Sequence, residues 1–372
     1  MRRHASRRCC PTPSPRPSVR NGDWVQTLWE GDGAAARAGR AALGPLELAF
    51  AAVSGLRNSL YDAKIFATEP TAVPALAIGN LTVGGTGKTP VAAWFARRLR
   101  EAGATPAIVL RGYGNDEPDV HRTLNPDIEV IISPNRVAGS HEAKRRGCDL
   151  VVLDDAFQHR RADRVANVVV LSADAWTGVR RRLPAGPWRE PLRAARRASL
   201  AIVTRKAAPI DRAAAVQDAI RAAVQTPVAI VHLAPDRLAL VGGSAQQPIS
   251  ALQGQTVLAI SAIGDPRAFH AQITAAGARV IPATFRDHHA YMTGDVTALI
   301  RLGEACDRAV CTLKDAVKLG PLWPGSTPLW YVSQRVDVER GIGLLNDVVA
   351  TMLAVRSAPS PSERPGPPGP HA

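Results

Sequence analysis

The residues with the clearest chemical meaning form a glycine turn that ends in a lysine and a threonine. The segment GNLTVGGTGKTP, residues 79–90, follows an apolar run and precedes the helical pattern VAAWFARRLREAG. Such a turn points backbone amides at phosphate, lets Lys88 reach the β and γ oxygens, and offers Mg²⁺ the hydroxyl of Thr89. Thr82 stands where the strict pattern has a glycine. The residues predicted to bind ATP are Thr82, Val83, Gly84, Gly85, Thr86, Gly87, Lys88 and Thr89.

A second group is acidic and lies at the end of another apolar run. DLVVLDD, residues 149–155, ends in Asp154 and Asp155. Carboxylates at the carboxyl end of a parallel strand face the ligand crevice, so this pair is predicted to bind Mg²⁺, with Asp155 the preferred ligand. A solvated acidic pair at a strand end is the other interpretation.

The elements that must position these groups are short apolar runs alternating with helical patterns. Runs of this kind suit strands buried on both faces of a parallel sheet, and helical stretches such as 88–102 and 135–147 suit the crossovers between them. The runs are ALAIGN, PAIVLR, IEVIIS, DLVVLDD, NVVVLS and SLAIVTR, followed after residue 254 by VLAISAIG, RAVCTLKD and LWYVSQRV. We expect an α/β protein with a P-loop, doubly wound parallel sheet and a second, smaller α/β lobe.

The predicted domain boundaries follow these changes of pattern. They are a disordered extension at 1–22, an N-terminal amphipathic segment at 23–70, a P-loop domain at 71–235, a linker at 236–253, a smaller lobe at 254–355 and a disordered tail at 356–372.

The N-terminal segment contains an amphipathic pattern between residues 43 and 65. Apolar residues recur there at three-to-four spacing, and charged residues such as Glu47 and Arg57 interrupt them. Because spanning a bilayer requires roughly 18 or more apolar residues, the pattern predicts a helix that lies on a membrane surface. A helix packed on its own domain is the alternative.

Composition limits the partners. The 372 residues carry a formal charge of +14, which suits an anionic membrane, a phosphorylated substrate or nucleic acid. Aromatic residues make up only 5%, and no basic stacking cluster occurs, so nucleic acid is not expected as a partner. The five cysteines show neither metal-ligand spacing nor a disulfide framework, which indicates a reducing compartment.

Several motifs occur in the order typical of one enzyme family. They are GNLTVGGTGKTP, RGYG, DEP, LDDAFQH, LPAGPWREP, FRDHH and LKDAVKL. This series, from about residue 46 to about residue 349, resembles the tetraacyldisaccharide 4'-kinase (lipid A 4'-kinase) family. The resemblance implies a peripheral enzyme at the cytoplasmic face of a bacterial inner membrane. We expect it to be a monomer. The resemblance also implies transfer of the γ-phosphate of ATP, with Mg²⁺, to the 4'-hydroxyl of a tetraacyldisaccharide 1-phosphate.

The same resemblance implies roles for individual residues. Asp116 of DEP and His288 of FRDHH are similar to a catalytic pair that accepts the hydroxyl proton, acting with Lys88. Glu190 is similar to a metal ligand, and Arg189 beside it to a substrate-binding residue. The other residues that resemble substrate-binding positions are Tyr113, Arg136 and Gln158. His159, Lys314 and Asp315 belong to the motifs without an assigned role.

A P-loop ATPase or GTPase switch without a lipid substrate is the alternative function. Guanine recognition normally requires an NKxD-type strand end, but residues 204–207 read TRKA. GTP is therefore disfavoured, while an ATP-driven switch stays open.

Overall fold

The computed structural model describes residues 23–112, 116–177 and 180–356. Three helices come first: α1 (Asp23–Glu30), α2 (Ala34–Ala42) and α3 (Gly44–Asp62). The predicted extension at 1–22, the tail from residue 357 and Tyr113 lie outside the described residues.

The first half of the sheet alternates strands with crossover helices. Its strands β1, β2, β4, β5 and β6 are almost entirely buried, which explains their continuous apolar sequences. The elements are β1 (Ala75–Asn80), α4 (Lys88–Glu101), β2 (Pro106–Leu110), α5 (Asp116–Leu124), β3 (Glu129–Ile132), α6 (Arg136–Arg145), β4 (Leu150–Leu153), β5 (Ala166–Ser172), a 3₁₀ helix (Leu192–Arg197), β6 (Leu200–Arg205) and α7 (Ile210–Ala223).

The second half begins with a long strand and repeats the alternation. The elements are β7 (Val228–Leu240), β8 (Gln246–Pro248), a 3₁₀ helix (Ile249–Leu252), β9 (Thr256–Ser261), α8 (Pro266–Ala275), β10 (Arg279–Thr284), α9 (Thr293–Gly303), β11 (Arg308–Thr312), α10 (Leu313–Leu319), β12 (Leu329–Arg340) and α11 (Ile342–Arg356).

All of these strands belong to one sheet, in the order β10-β9-β11-β12-β7-β6-β5-β1-β4-β2-β3, with β8 on β7. Neighbouring strands are parallel except at β7, which is antiparallel to both β12 and β8. The first part of β7 pairs in parallel with β6, and the first part of β12 pairs in parallel with β11. Since β7 and β12 run in opposite directions, the carboxyl ends of the two parallel halves point toward each other. Ligands of open α/β sheets bind at such ends, so the cleft between the halves is the expected site.

The structure confirms the α/β class and the mostly parallel, P-loop sheet. β7 and β10 were not predicted, and α10 begins within the run RAVCTLKD, which was predicted to be wholly extended. Residues 236–253, predicted as a linker, hold the end of β7, all of β8 and the second 3₁₀ helix. The domain boundaries themselves stay predictions.

The predicted amphipathic helix corresponds to α3, which has no buried residue. Leu48 and Val53 are 70% and 69% exposed, and Leu46 and Leu56 are also largely exposed. Among the described residues, no helix combines the length and apolarity needed to cross a membrane.

Candidate active site

The cleft between the two halves contains a cavity of about 730 Å³. The turn after β1 and the ends of β4 and β6 form one wall, and the loops after β9, β10 and β11 form the other. The residues that line these walls include Gly84–Thr89, Glu117, Asp155, Arg189, Lys206, Gly264, Asp265, Asp287, His288 and Lys314.

The glycine turn has the backbone that a phosphate cradle requires. Gly84 and Gly87 have φ angles of 104° and 86°, in the left-handed region that glycine adopts without strain. A Cβ at Gly87 would lie 2.4 Å from Cδ1 of Leu233, so close packing also requires glycine there. Thr86 is buried; its hydroxyl accepts a hydrogen bond from Asn80 Nδ2 (3.0 Å), and its carbonyl accepts one from Thr204 Oγ1 (2.7 Å). The turn is therefore held in shape from both sides.

Two of the predicted ATP-binding residues come just before the segment that lines the cavity. The amide of Val83 donates to the carbonyl of Pro187 at 2.8 Å, and Thr82 forms a β-bridge with Trp188. These contacts anchor the start of the turn, whereas residues 84–89 line the cavity.

Lys88, Asp155 and Arg189 form a charged group beside the turn. Nζ of Lys88 lies 3.3 Å from Oδ1 of Asp155, and Nη1 of Arg189 lies 3.2 Å from the same oxygen. All three residues line the cavity. Asp155 has a φ of 50°, an uncommon conformation for a residue with a side chain, which is typical of functional positions.

Asp154 faces the protein interior instead. Its Oδ2 accepts a hydrogen bond from Nε2 of the buried His121 at 2.9 Å, and its Oδ1 accepts the Asp155 amide at 2.8 Å. Burial alone would raise the pKa of Asp154, but the His121 hydrogen bond and the positive charge of Lys88 keep it below its ordinary value. Arg136 is also buried and donates to the carbonyls of Asp154 (2.9 Å) and Ser133 (2.7 Å). Both residues thus support the end of β4 from behind.

Glu190 and Gln158 contact α3 and the turn rather than the cavity. The buried Glu190 carboxylate lies 2.8 Å from Nη2 of Arg197 and accepts a hydrogen bond of 2.8 Å from Nδ2 of Asn58 on α3. Nε2 of Gln158 donates to the Asn80 carbonyl at 2.7 Å, and the backbone carbonyl of Gln158 accepts a hydrogen bond from Arg57 at 3.1 Å. Neither side chain lines the cavity, so the metal role of Glu190 and the substrate role of Gln158 stay predictions.

His159 follows Gln158 and is surrounded by positive charge. Burial and the nearby Arg136, Arg164 and Arg57 guanidinium groups lower the pKa of His159 to about 4. It is therefore neutral at physiological pH.

Asp116 and His288 meet across the cleft. Oδ1 of Asp116 lies 3.7 Å from Nδ1 of His288, an ion-pair distance that is too long for a hydrogen bond. Asp116 is buried, whereas the His288 side chain is 42% exposed and lines the cavity. Burial alone would raise the pKa of Asp116, but His288, Lys314 and Lys318 hold it below its ordinary value. The Asp116 carboxylate in turn raises the pKa of His288.

Glu117 was not among the predicted site residues. This residue lines the cavity, and its Oε1 lies 3.8 Å from Nζ of Lys314. Burial, followed by the negative charges of Asp154 and Asp155, raises the pKa of Glu117. The signal was available, because Glu117 is the middle residue of the DEP motif and lies in the acidic first turn of α5.

Lys206 and Gly264 were missed as well. Nζ of Lys206 donates to the Gly85 carbonyl at 2.8 Å and lies 3.6 Å from Oδ2 of Asp265 in the second half. A Cβ at Gly264 would lie 2.9 Å from the Gly85 amide nitrogen and 3.1 Å from Cα of Gly84. The two halves therefore touch at the glycine turn. Lys206 lies within TRKA, the segment that lacks the residues typical of guanine recognition.

One group of oxygen donors in the cavity wall is suited to Mg²⁺. The Thr89 hydroxyl, at the start of α4, and the Asp155 carboxylate both line the cavity and offer the oxygen ligands that Mg²⁺ prefers. The crowding that raises the pKa of Glu117 would be relieved by a cation. Within the described residues, no cluster of three or more His, Cys, Asp or Glu side chains is arranged around a metal position. The site thus fits an ion held by a few protein oxygens and by phosphate.

Comparisons with known proteins agree on one family. The family model described as LpxK, tetraacyldisaccharide-1-P 4'-kinase, matches residues 39–127 and 116–352. Tetraacyldisaccharide 4'-kinase from Xanthomonas campestris pv. campestris strain 8004 is 33% identical over 310 residues, covering 75% of this chain and 85% of that protein. The Anaeromyxobacter dehalogenans protein of the same name is 36% identical over 341 residues, covering 83% and 89%.

A solved structure has the same fold. A crystal structure of LpxK from Aquifex aeolicus in complex with ATP superimposes with a TM-score of 0.66 at 25% identity. The match covers 85% of this chain and 99% of that chain.

Proposed function

The chain belongs to the tetraacyldisaccharide-1-P 4'-kinase family, and from this membership we propose that it transfers the γ-phosphate of ATP to the 4'-hydroxyl of a tetraacyldisaccharide 1-phosphate. The observation that supports the assignment best is one cavity with two kinds of chemistry. A phosphate-binding turn forms one wall, and His288, paired with Asp116, reaches the same cavity from the other half.

The transferred phosphoryl group requires positioning and charge stabilisation more than covalent chemistry. The amides of residues 84–89 and Nζ of Lys88 bind the β- and γ-phosphates, and Arg189 adds positive charge on the same side. The Asp116–His288 pair accepts the proton of the attacking hydroxyl. Because these groups come from both halves of the sheet, acceptor and ATP are brought together in the cleft.

Thr89 and Asp155 would hold Mg²⁺, with Glu117 the nearest additional carboxylate in the cavity wall. When bound, the ion would neutralise charge on the phosphate oxygens. Asp154, whose oxygens are occupied by His121 and the Asp155 amide, would keep the end of β4 in place.

The membrane association is part of the same proposal. α3 exposes an apolar face. Near the carboxyl end of this helix, the ring of Tyr61 packs against two guanidinium groups, those of Arg57 on α3 itself and of Arg160 in the first half of the sheet. A lipid acceptor must be taken from a bilayer, and basic residues near an anionic surface each contribute roughly 1 kcal/mol. We infer that a monomer binds peripherally to the cytoplasmic face of the inner membrane through α3.

Transfer of labelled γ-phosphate from Mg-ATP to a tetraacyl disaccharide 1-phosphate in mixed micelles tests the proposal. Wild type should form product, and Lys88→Ala and Asp116→Ala should each lower the rate by about 10²-fold or more. Asp119→Ala is the matched control, because Asp119 lies on the same helix and its carboxylate pairs with the exposed Arg122. A wild-type protein that binds ATP but transfers nothing would favour an ATP-driven switch.

A further inference from the structure

The motif LKDAVKL contains Asp315, a buried carboxylate in the second half of the sheet. Asp315 lies in the first turn of α10 and has no exposed surface. Its Oδ1 accepts hydrogen bonds from the Ala262 amide (3.1 Å) and from the Tyr291 hydroxyl (3.0 Å). Its Oδ2 accepts a hydrogen bond of 2.6 Å from Oγ1 of Thr312. One side chain therefore joins three separate segments of the chain.

Each of these segments enters the active-site cleft within a few residues of Asp315's partner. Ala262 leads to Gly264, which packs on the glycine turn. Tyr291 ends the loop that carries His288, and Thr312 precedes Lys314, which faces Glu117. The three loops that the second half contributes to the cavity are thus bonded to a single carboxylate.

A further contact of the same carboxylate secures the His288 loop. Nζ of Lys318 lies 3.6 Å from Oδ1 of Asp315 and donates to the carbonyl of His289 at 3.2 Å. His288 itself has a φ of 57°, which costs free energy for a residue with a side chain and persists only where surrounding contacts impose it. Asp315 supplies such contacts on the carboxyl-terminal side of His288, through Lys318 and Tyr291.

The charged groups that face His288 come from three elements. Asp116 approaches it from α5, Lys314 from α10 and Asp287 from its own loop. Asp315 does not touch His288, so any influence it has on the pair must act through the position of the loop.

We propose that Asp315 is a positioning residue for phosphoryl transfer, which holds the His288 loop and the Gly264 loop in the arrangement that places His288 opposite Asp116. The proposal rests on the proposed function, since it assigns Asp315 a role in that reaction. It gives the motif LKDAVKL a mechanistic purpose at a distance from the reacting atoms.

A double-mutant cycle tests this role. Asp315→Asn should lower kcat for transfer to the lipid acceptor by about tenfold or more, because it removes the negative charge that holds Lys318 on the His288 loop and turns the acceptor of the Thr312 hydrogen bond into a donor. In a His288→Gln background the same change should lower kcat by no more than about twofold, since the group it positions is absent. Tyr291→Phe removes one of the three hydrogen bonds without leaving a cavity. If Asp315→Asn does not fold, the cycle of Tyr291→Phe with His288→Gln tests the positioning role instead.

The matched control is Asp307→Asn. Asp307 accepts a hydrogen bond from the Thr256 amide at 2.7 Å at the amino end of β9, away from the cleft. Asp307→Asn should leave kcat unchanged and should not couple to His288→Gln.

A readout independent of turnover separates failure of this proposal from failure of the proposed function. The NMR titration of His288, identified by its absence in His288→Gln, should show a lower pKa in Asp315→Asn than in wild type. The positioning role would be overturned if each change, Asp315→Asn and Tyr291→Phe, lowered kcat by the same factor in the wild-type and His288→Gln backgrounds and left the His288 titration unchanged.

Discussion

Oδ1 of Asp116 lies 3.7 Å from Nδ1 of His288, although the two residues belong to opposite halves of the sheet. Asp116 is the first residue of α5, and His288 lies in the loop after β10. Their approach is possible because β7 and β12 run antiparallel, which turns the carboxyl ends of the two parallel halves toward each other. The pair therefore depends on the geometry of the whole sheet.

The first prediction concerns this pair as a unit. Asp116→Asn and His288→Gln should each lower kcat by about 10²- to 10⁴-fold, the range typical of general acid–base catalysis. The double variant should be little worse than either single variant, because residues that act together show strongly non-additive effects. Steady-state kinetics with saturating ATP and lipid acceptor measure this. His141→Gln, at an exposed position on α6, is the control and should retain most activity; additive losses in the double variant would contradict the pairing.

The second prediction concerns pH. The Asp116 carboxylate raises the pKa of His288, and His288 helps to lower the pKa of Asp116. Above the lowered Asp116 pKa and below the raised His288 pKa both partners are charged, so the pair stabilises the folded state in that window. The His288 part of this stabilisation is lost as the pH rises through its raised pKa. In Asp116→Asn the pKa of His288 should fall, as measured by histidine NMR titration. An unchanged titration would mean that the two side chains do not interact in solution.

The third prediction uses the contact between the halves at the glycine turn. Gly264→Ala adds a Cβ 2.9 Å from the Gly85 nitrogen and 3.1 Å from Cα of Gly84, so the loop after β9 or the phosphate turn must shift. We expect weaker Mg-ATP binding, by about tenfold or more, from isothermal titration calorimetry, since that displacement is transmitted directly to the phosphate cradle.

Gly294→Ala is the matched control for this change. Gly294 lies at the start of α9, and a Cβ there would meet nothing within 4 Å. Its ATP affinity should equal that of wild type. If Gly264→Ala also bound ATP normally, the contact seen between the halves would not bear on the nucleotide site.

The fourth prediction concerns the exposed apolar face of α3. Leu48 is 70% exposed, and Leu48→Glu places a charge where the membrane proposal places lipid. Binding to vesicles that contain anionic lipid should fall by about tenfold in sedimentation assays, since burying a leucine side chain is worth roughly 1.5–3 kcal/mol. Ile342→Glu, a change at another exposed apolar residue at the start of α11, should leave vesicle binding intact. Equal loss in both variants would indicate a non-specific effect of charge.

Some parts of the fold were accessible from sequence because of how they are buried. Strands such as β1, β4 and β5 are buried on both faces and therefore have continuous apolar sequences. β7 was missed although its first part, VAIVHLA, is as apolar and buried as those strands; only its second part, around Asp236 and Arg237, carries charges. β10 escaped prediction because most of its residues are partly exposed and Pro282 interrupts the run.

The candidate site shows the same division. Asp154, Asp155 and Glu190 were predicted to bind the metal and Arg136 to bind the substrate, but their environments differ. Asp155 faces the cavity, whereas Asp154 is bonded to His121 and Glu190 to Arg197. Chain spacing could not predict those partners, because each depends on which side chains the packed sheet brings alongside.

The phosphate turn is specified locally, because left-handed glycines, a lysine and a threonine between a strand and a helix impose their own backbone. The partnership of Asp116 with His288 came from family resemblance and not from spacing. Its geometry, the contact of Gly264 with the turn and the burial of Asp315 depend on packing between distant segments. Charges and hydrogen bonds act over a few ångströms in space, and only the folded sheet sets those distances.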